Sequence, residues 1–120
     1  MYNFYIIQSP FNRVGFGITQ DAKERNKQYC SHCGGIVKFT HVYSGLRAHA
    51  KALERTIKTQ YVDNIWKLDD WQTEWLNDDI TVEKLQQYVE QLIKERNIKL
   101  SLTKTDFDFT QAWQSSKVSI

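Results

Sequence analysis

Leu46, Ala50, Leu53, Ile57 and Tyr61 recur at helical intervals in a stretch free of glycine and proline. That spacing predicts a helix over residues 46–61 with one apolar stripe, and such a helix must bury its stripe on a partner surface. Directly before it, residues 36–43 (IVKFTHVY) form the clearest strand of the chain, with Val37, Phe39 and Val42 among its apolar positions. Ser44-Gly45 reads as the turn between the two. A strand leading into a one-sided helix is half of a helix-on-sheet layer.

The rest of the sheet is expected from the N-terminus. Residues 2–8 (YNFYIIQ) are aromatic and β-branched and stop at Ser9-Pro10. A short polar link leads to a second strand over residues 14–19, so the two should form a hairpin. A helix over 22–29 follows, with Thr19 or Asp21 as its cap and Asp21 and Glu24 near its positive end. Residues 30–35 (CSHCGG) should break that helix. Beyond the long helix, residues 62–70 read as irregular and acidic, and residues 71–76 (WQTEWL) as a short edge strand or an ordered loop. A second amphipathic helix is predicted over 81–96, with Val82, Leu85, Val89 and Leu92 on one face. Residues 98–103 suit a strand. Residues 104–120 have no clear period, although Phe107, Phe109 and Trp113 suggest docking on the body.

This order predicts an α+β fold: a small three-stranded antiparallel sheet flanked by helices, with a helical C-terminal extension. Residues 1–80 would form the main domain. Residues 81–120 would pack on it as one compact unit, make a dimer, or contact DNA. At 120 residues, 41% hydrophobic and 25% charged, the chain has the length and composition of one ordinary globular domain. The net charge of +2 and pI near 8.5 are too mild to indicate nucleic acid by themselves. Their distribution is more informative, because Lys and Arg crowd into residues 23–58 and acids into 63–83. With no apolar run long enough to cross a membrane and no signal-peptide pattern, the expected compartment is the cytoplasm, where Cys30 and Cys33 remain thiols.

Three features bear on chemistry. Arg25 and Tyr29 lie four apart on the first helix and share a face, close to Gly17, where a missing Cβ lets backbone or ligand approach. A guanidinium beside a phenol and bare backbone suits a phosphate, although each residue also has an ordinary structural reading. Glu54 lies off the apolar stripe, among Arg47, Lys51 and Lys58 on its own helix face, with Arg55 adjacent. It is either a salt-bridged surface residue or a metal-holding carboxylate over a phosphate drawn in by the cations. Cys30-x-x-Cys33, with His32, His41 and His49, supplies half a zinc site; no second pair follows at finger spacing, so zinc is not expected.

Taken in order, Phe4-Tyr5-Ile6, Gly15-Phe16-Gly17-Ile18-Thr19, Arg25, Tyr29 and Glu54 within Ala-Leu-Glu-Arg resemble the GIY-YIG nuclease domain over roughly residues 1–76. Thr73-Glu74-Trp75-Leu76 is similar to the E-W-F segment of a branch common in phage genomes. The first motif reads NFY, and the second reads GFG, with Gly15 where many members carry a second tyrosine.

The resemblance implies a metal-dependent DNA endonuclease that hydrolyses phosphodiester bonds with one Mg²⁺ or Mn²⁺. It would be encoded by a phage or mobile element, as a homing-type or host-DNA-degrading enzyme, and would work in the host cytoplasm if phage-borne. Tyr5, Arg25, Tyr29 and Glu54 would be catalytic, Glu54 the metal ligand and Gly17 a structural motif residue. Tyr5 would position or deprotonate water, needing a nearby cation because a free phenol has a pKa near 10. Lys23, Lys27, Arg47, Lys51 and Lys58 would contact the backbone of double-stranded DNA. A homodimer through the 81–96 helix is the second role for that element, after covering the core. Two other classes stay open: a silent nucleic-acid-binding module on the same fold, kept alive by Gly15, and a protein–protein adaptor using the acidic segment and exposed tryptophans.

Overall fold

The computed structural model describes residues 1–9, 13–32, 37–68, 71–76 and 79–107. Strand β1 (Tyr2–Gln8) lies at the centre, flanked antiparallel by β2 (Val14–Thr19) and β3 (Lys38–Gly45). These are the three strands expected. Three more extend the sheet at both sides: β4 (Ile65–Leu68), β5 (Trp71–Leu76) and β6 (Leu100–Phe107), in the order β4-β5-β2-β1-β3-β6. Among the described residues every strand pairing is antiparallel. With helices α1 (Ala22–His32), α2 (Arg47–Gln60) and α3 (Val82–Glu95), the fold is α+β, as expected, on a wider sheet than three strands.

The boundaries differ in instructive ways. α1 continues through Cys30, Ser31 and His32, so the helix is not broken at Cys30. Ser44 and Gly45 are the last residues of β3 rather than a turn, because β6 pairs with them: Ser44 faces Ser101 and Gly45 faces Leu100. A Cβ on Gly45 would collide with the Lys99 carbonyl, so only glycine lets that backbone pass. The acidic stretch after α2 contains a 3₁₀ turn (Val62–Asn64) and β4. Residues 71–76 are a strand with β4 outside it, not a sheet edge. The C-terminal extension pairs α3 with a strand, so it is only partly helical. Phe109 and Trp113 lie outside the described residues, as does Cys33.

Two apolar layers result from strand alternation. On one face Phe4, Ile6, Phe16 and Tyr43 meet Ala50, Leu53 and Ile57 of α2 and Leu85, Val89 and Leu92 of α3. The stripe on α2 is therefore buried where expected, except at its start. Leu46 is the uncapped N-cap residue and is 59% exposed. α3 is capped by the Thr81 hydroxyl, which accepts from Lys84 N at 3.1 Å. It closes over the core edge through Tyr88, edge-on to Tyr61 at 5.7 Å between centroids. The other face holds Tyr5, Ile7, Val37, Phe39 and Val42, with Ala22 of α1 and Trp75 of β5 packed against it.

Phe39 and Val42 share a face although strict alternation would separate them. The register explains this: Ile6 faces His41 while Ile7 faces Phe39, leaving Thr40 as the extra residue of a bulge. The buried Thr40 hydroxyl donates to the Ile6 carbonyl at 3.2 Å, satisfying both groups where the ladder is interrupted.

A polar tie joins β3 to α3. The Tyr43 hydroxyl donates to Glu90 Oε1 at 2.8 Å, and burial, with the Glu90 carboxylate beside it, holds the phenol far above its ordinary value of 10. The unfolded chain releases this proton near pH 10 while the folded chain keeps it. Stability from Tyr43 is thus fully present below pH 10 and declines as pH rises beyond it. Thermal melts between pH 9 and 11.5 should show a steeper alkaline loss for wild type than for Tyr43→Phe. Near neutral pH that variant should be weaker by about 1 kcal/mol, for the lost hydrogen bond. Identical pH slopes would remove Tyr43 as the cause.

Candidate functional site

α2 presents Glu54 because its neighbours on the helix have other tasks. Ala50, Leu53 and Ile57 point into the core, which turns Lys51, Glu54, Arg55 and Lys58 to the flank. The chain then leaves α2 through the 3₁₀ turn and returns as β4, bringing Val62 and Ile65 across from the helix. Between them, with Ile18 of β2 as a further wall and Thr59 beside it, lies an open pocket of about 540 Å³.

The pocket has two chemistries. Its α2 side carries three cations and one carboxylate; its opposite side is Ile18, Val62 and Ile65. Glu54 is 22% exposed and lies 3.7 Å from Lys58 Nζ, one turn on. Lys58 is mostly exposed and the contact is long, so the pair contributes little to stability. The pocket lies along the middle and C-terminal part of α2, away from the positive end of the helix dipole, so its attraction for an anion comes from Lys51, Arg55 and Lys58 alone.

The expected site residues fall into two groups. Lys51, Glu54 and Lys58 come together, with Arg55 as a third cation. Arg47 does not join them; its guanidinium stacks over the Tyr2 ring at 5.5 Å. Tyr5, Gly17 and α1 belong to the other face. Tyr5 is paired directly with Gly17, and a Cβ there would lie 2.8 Å from Tyr5 Cζ. The glycine thus makes room for the tyrosine ring. Tyr5 is 1% exposed and packs on Phe39 at 5.1 Å between centroids.

α1 begins at Asp21, whose Oδ1 accepts from Glu24 N at 3.1 Å, while Thr19 Oγ1 donates to the Asp21 carbonyl. Of the two expected capping residues Asp21 is the cap, and Thr19 braces it by also accepting from Asp21 N at 3.2 Å. Arg25 is half-buried one turn beyond Ala22, and Lys23 and Lys27 are exposed. Tyr29 is on the same helix, with its side chain outside the described part.

Tyr5 and the Glu54 pocket thus lie on opposite faces of the sheet, though they flank consecutive residues of one strand: Tyr5 covers Gly17, and the pocket is walled by Ile18. Gly15, where a second tyrosine would stand, pairs with Trp75 of β5. Trp75 is half-buried against the second layer rather than exposed. His49 and His41 have structural partners: His49 Nδ1 accepts from Lys99 N at 2.6 Å, and His41 Nδ1 lies 3.0 Å from Thr40 Oγ1.

Among the described residues, no three His, Cys, Asp or Glu side chains converge. A hard divalent ion such as Mg²⁺ is often held by one or two carboxylates, with substrate phosphate and water completing the shell. The oxygen donors of Glu54 fit that type. Val62 and Ile65 were not legible as pocket residues, because they follow the helix in an acidic stretch without an apolar period.

The fold and pocket define an α+β protein with an antiparallel sheet and a cation-rimmed carboxylate site. No protein-family model, curated protein or solved structure matches the chain. Among the described residues no helix is long and apolar enough to cross a membrane.

Proposed function

We propose that the protein is a metal-dependent DNA endonuclease of the GIY-YIG kind, acting in the cytoplasm, of the host if phage-borne. The observation that carries this reading is Glu54 set among Lys51, Arg55 and Lys58 in an open pocket. The three cations draw a phosphodiester to the pocket and hold its oxygens. Glu54 is the residue that would hold Mg²⁺ or Mn²⁺, which when bound supplies charge neutralisation at the scissile phosphate. In this reading the phosphate is held on the Glu54 face of the sheet. The roles expected of Arg25 at the developing charge and of Tyr5 and Tyr29 in orienting water require a rearrangement, because Tyr5 and α1 belong to the opposite face.

A second reading, a nucleic-acid-binding module without cleavage, is favoured by two observations. Tyr5 is almost wholly covered, and Gly15 offers no phenol where the resembled family carries one. Supercoiled plasmid incubated with Mg²⁺ or Mn²⁺ separates the two. Open-circle or linear product that EDTA prevents supports the nuclease. DNA binding that weakens with salt, with no product from plasmid or genomic DNA in either metal, replaces it with the binding module.

A further inference from the structure

The wall opposite the cations is the feature that phosphate binding leaves unused. Val62 is 49% exposed, one of the few large apolar side chains among the described residues to face solvent so fully, and Ile18 and Ile65 continue its surface into the pocket. A regular duplex laid along Lys51, Arg55 and Lys58 presents phosphates and sugar edges and keeps its flat base faces stacked away from this wall. A nucleotide turned out of the stack offers both parts: an anionic phosphate for the α2 rim and a flat apolar base face for Ile18, Val62 and Ile65. At about 540 Å³ the open pocket has room for one such nucleotide.

We infer that this pocket receives a single unpaired nucleotide, so that the preferred substrate is DNA with an extruded or unpaired residue beside the bound phosphate rather than uninterrupted duplex. The inference rests on the nucleic-acid reading above and specifies the substrate class of the same site. Unstacking is least costly where a base already lacks a partner, so the apolar wall adds to affinity only for such DNA.

The test uses the whole chain and two hairpin oligonucleotides of one sequence, one fully paired and one with a single unpaired 2-aminopurine, in EDTA so that binding is read without cleavage. The interrupted hairpin should bind about tenfold more tightly, the scale of burying roughly 55 Å² of apolar surface, and its 2-aminopurine emission should rise as the base leaves the stack. Val62→Asn should remove most of that preference while leaving affinity for the paired hairpin within about twofold, since the phosphate contacts are untouched. Lys51→Ala should weaken both hairpins alike. Equal wild-type affinity for the two hairpins, or a preference that Val62→Asn leaves intact, overturns the inference and leaves the nucleic-acid reading standing. Failure to bind either hairpin overturns both.

Discussion

Glu54→Ala is expected to lower metal-dependent plasmid cleavage by about a thousandfold or more, the scale of losing the divalent ion's stabilisation of a phosphoryl transition state. The same substitution should leave DNA affinity unchanged or slightly higher. It removes the one carboxylate from a rim of three cations and frees Lys58, which it holds at 3.7 Å. This opposite movement of cleavage and binding is the useful signature. A residue that only supported the helix would reduce both, and a surface ion pair would change neither. Glu54→Gln keeps the shape and removes the charge, so it should match the alanine variant. Cleavage at wild-type rates by both variants would remove Glu54 as the metal ligand.

Gly17→Ala should destabilise the protein by about 3 kcal/mol, the upper part of the range for overfilling a packed interior. The added methyl would lie 2.8 Å from Tyr5 Cζ. The ring cannot simply swing aside, because it is buried between Gly17 and Phe39 on the central strand of the sheet. Tyr5→Leu removes the obstructing ring atoms, so in that background the alanine should cost about 1 kcal/mol or less, a strong coupling of the kind seen only for groups in contact. Urea denaturation of the four variants measures it. Additive effects would mean that the two positions do not share space.

Much of this fold can be read from residue order, and the failures have physical causes. α2 and α3 were legible because three core positions in each recur at helical spacing, and β1 and β2 because their aromatic and β-branched residues end at a turn. The width of the sheet was not. β4 is only four residues long and lies in an acidic stretch, and its partner β5 has no alternation that distinguishes an edge from an interior strand. The bulge at Thr40 was invisible for a related reason: a hydroxyl that replaces one rung of a ladder leaves no mark on composition, yet it moves Phe39 onto the side of Val42. At the site, Glu54 and its cations were visible because one helix carries them all. Arg47 was grouped with them by spacing, but Tyr2, distant in sequence, takes its guanidinium. The separation of Tyr5 from Glu54 could not be seen, since facing depends on which side of the sheet each helix covers.

The place of β6 has a consequence for how the chain acquires its structure during synthesis. β3 leaves the ribosome early, yet the strand that covers its outer edge is the last described element to emerge, after α2, the β4–β5 hairpin and α3 have all been made. Through that interval the backbone groups of β3 facing β6 have no partner and are open to pairing with another nascent chain. Gly45 and Ser44, the first positions β6 meets, form the point from which the late strand can close along the edge. A chain interrupted before Leu100 would keep all three described helices and most of its core but carry a permanently adhesive border, so errors late in synthesis should yield aggregates rather than unfolded monomers.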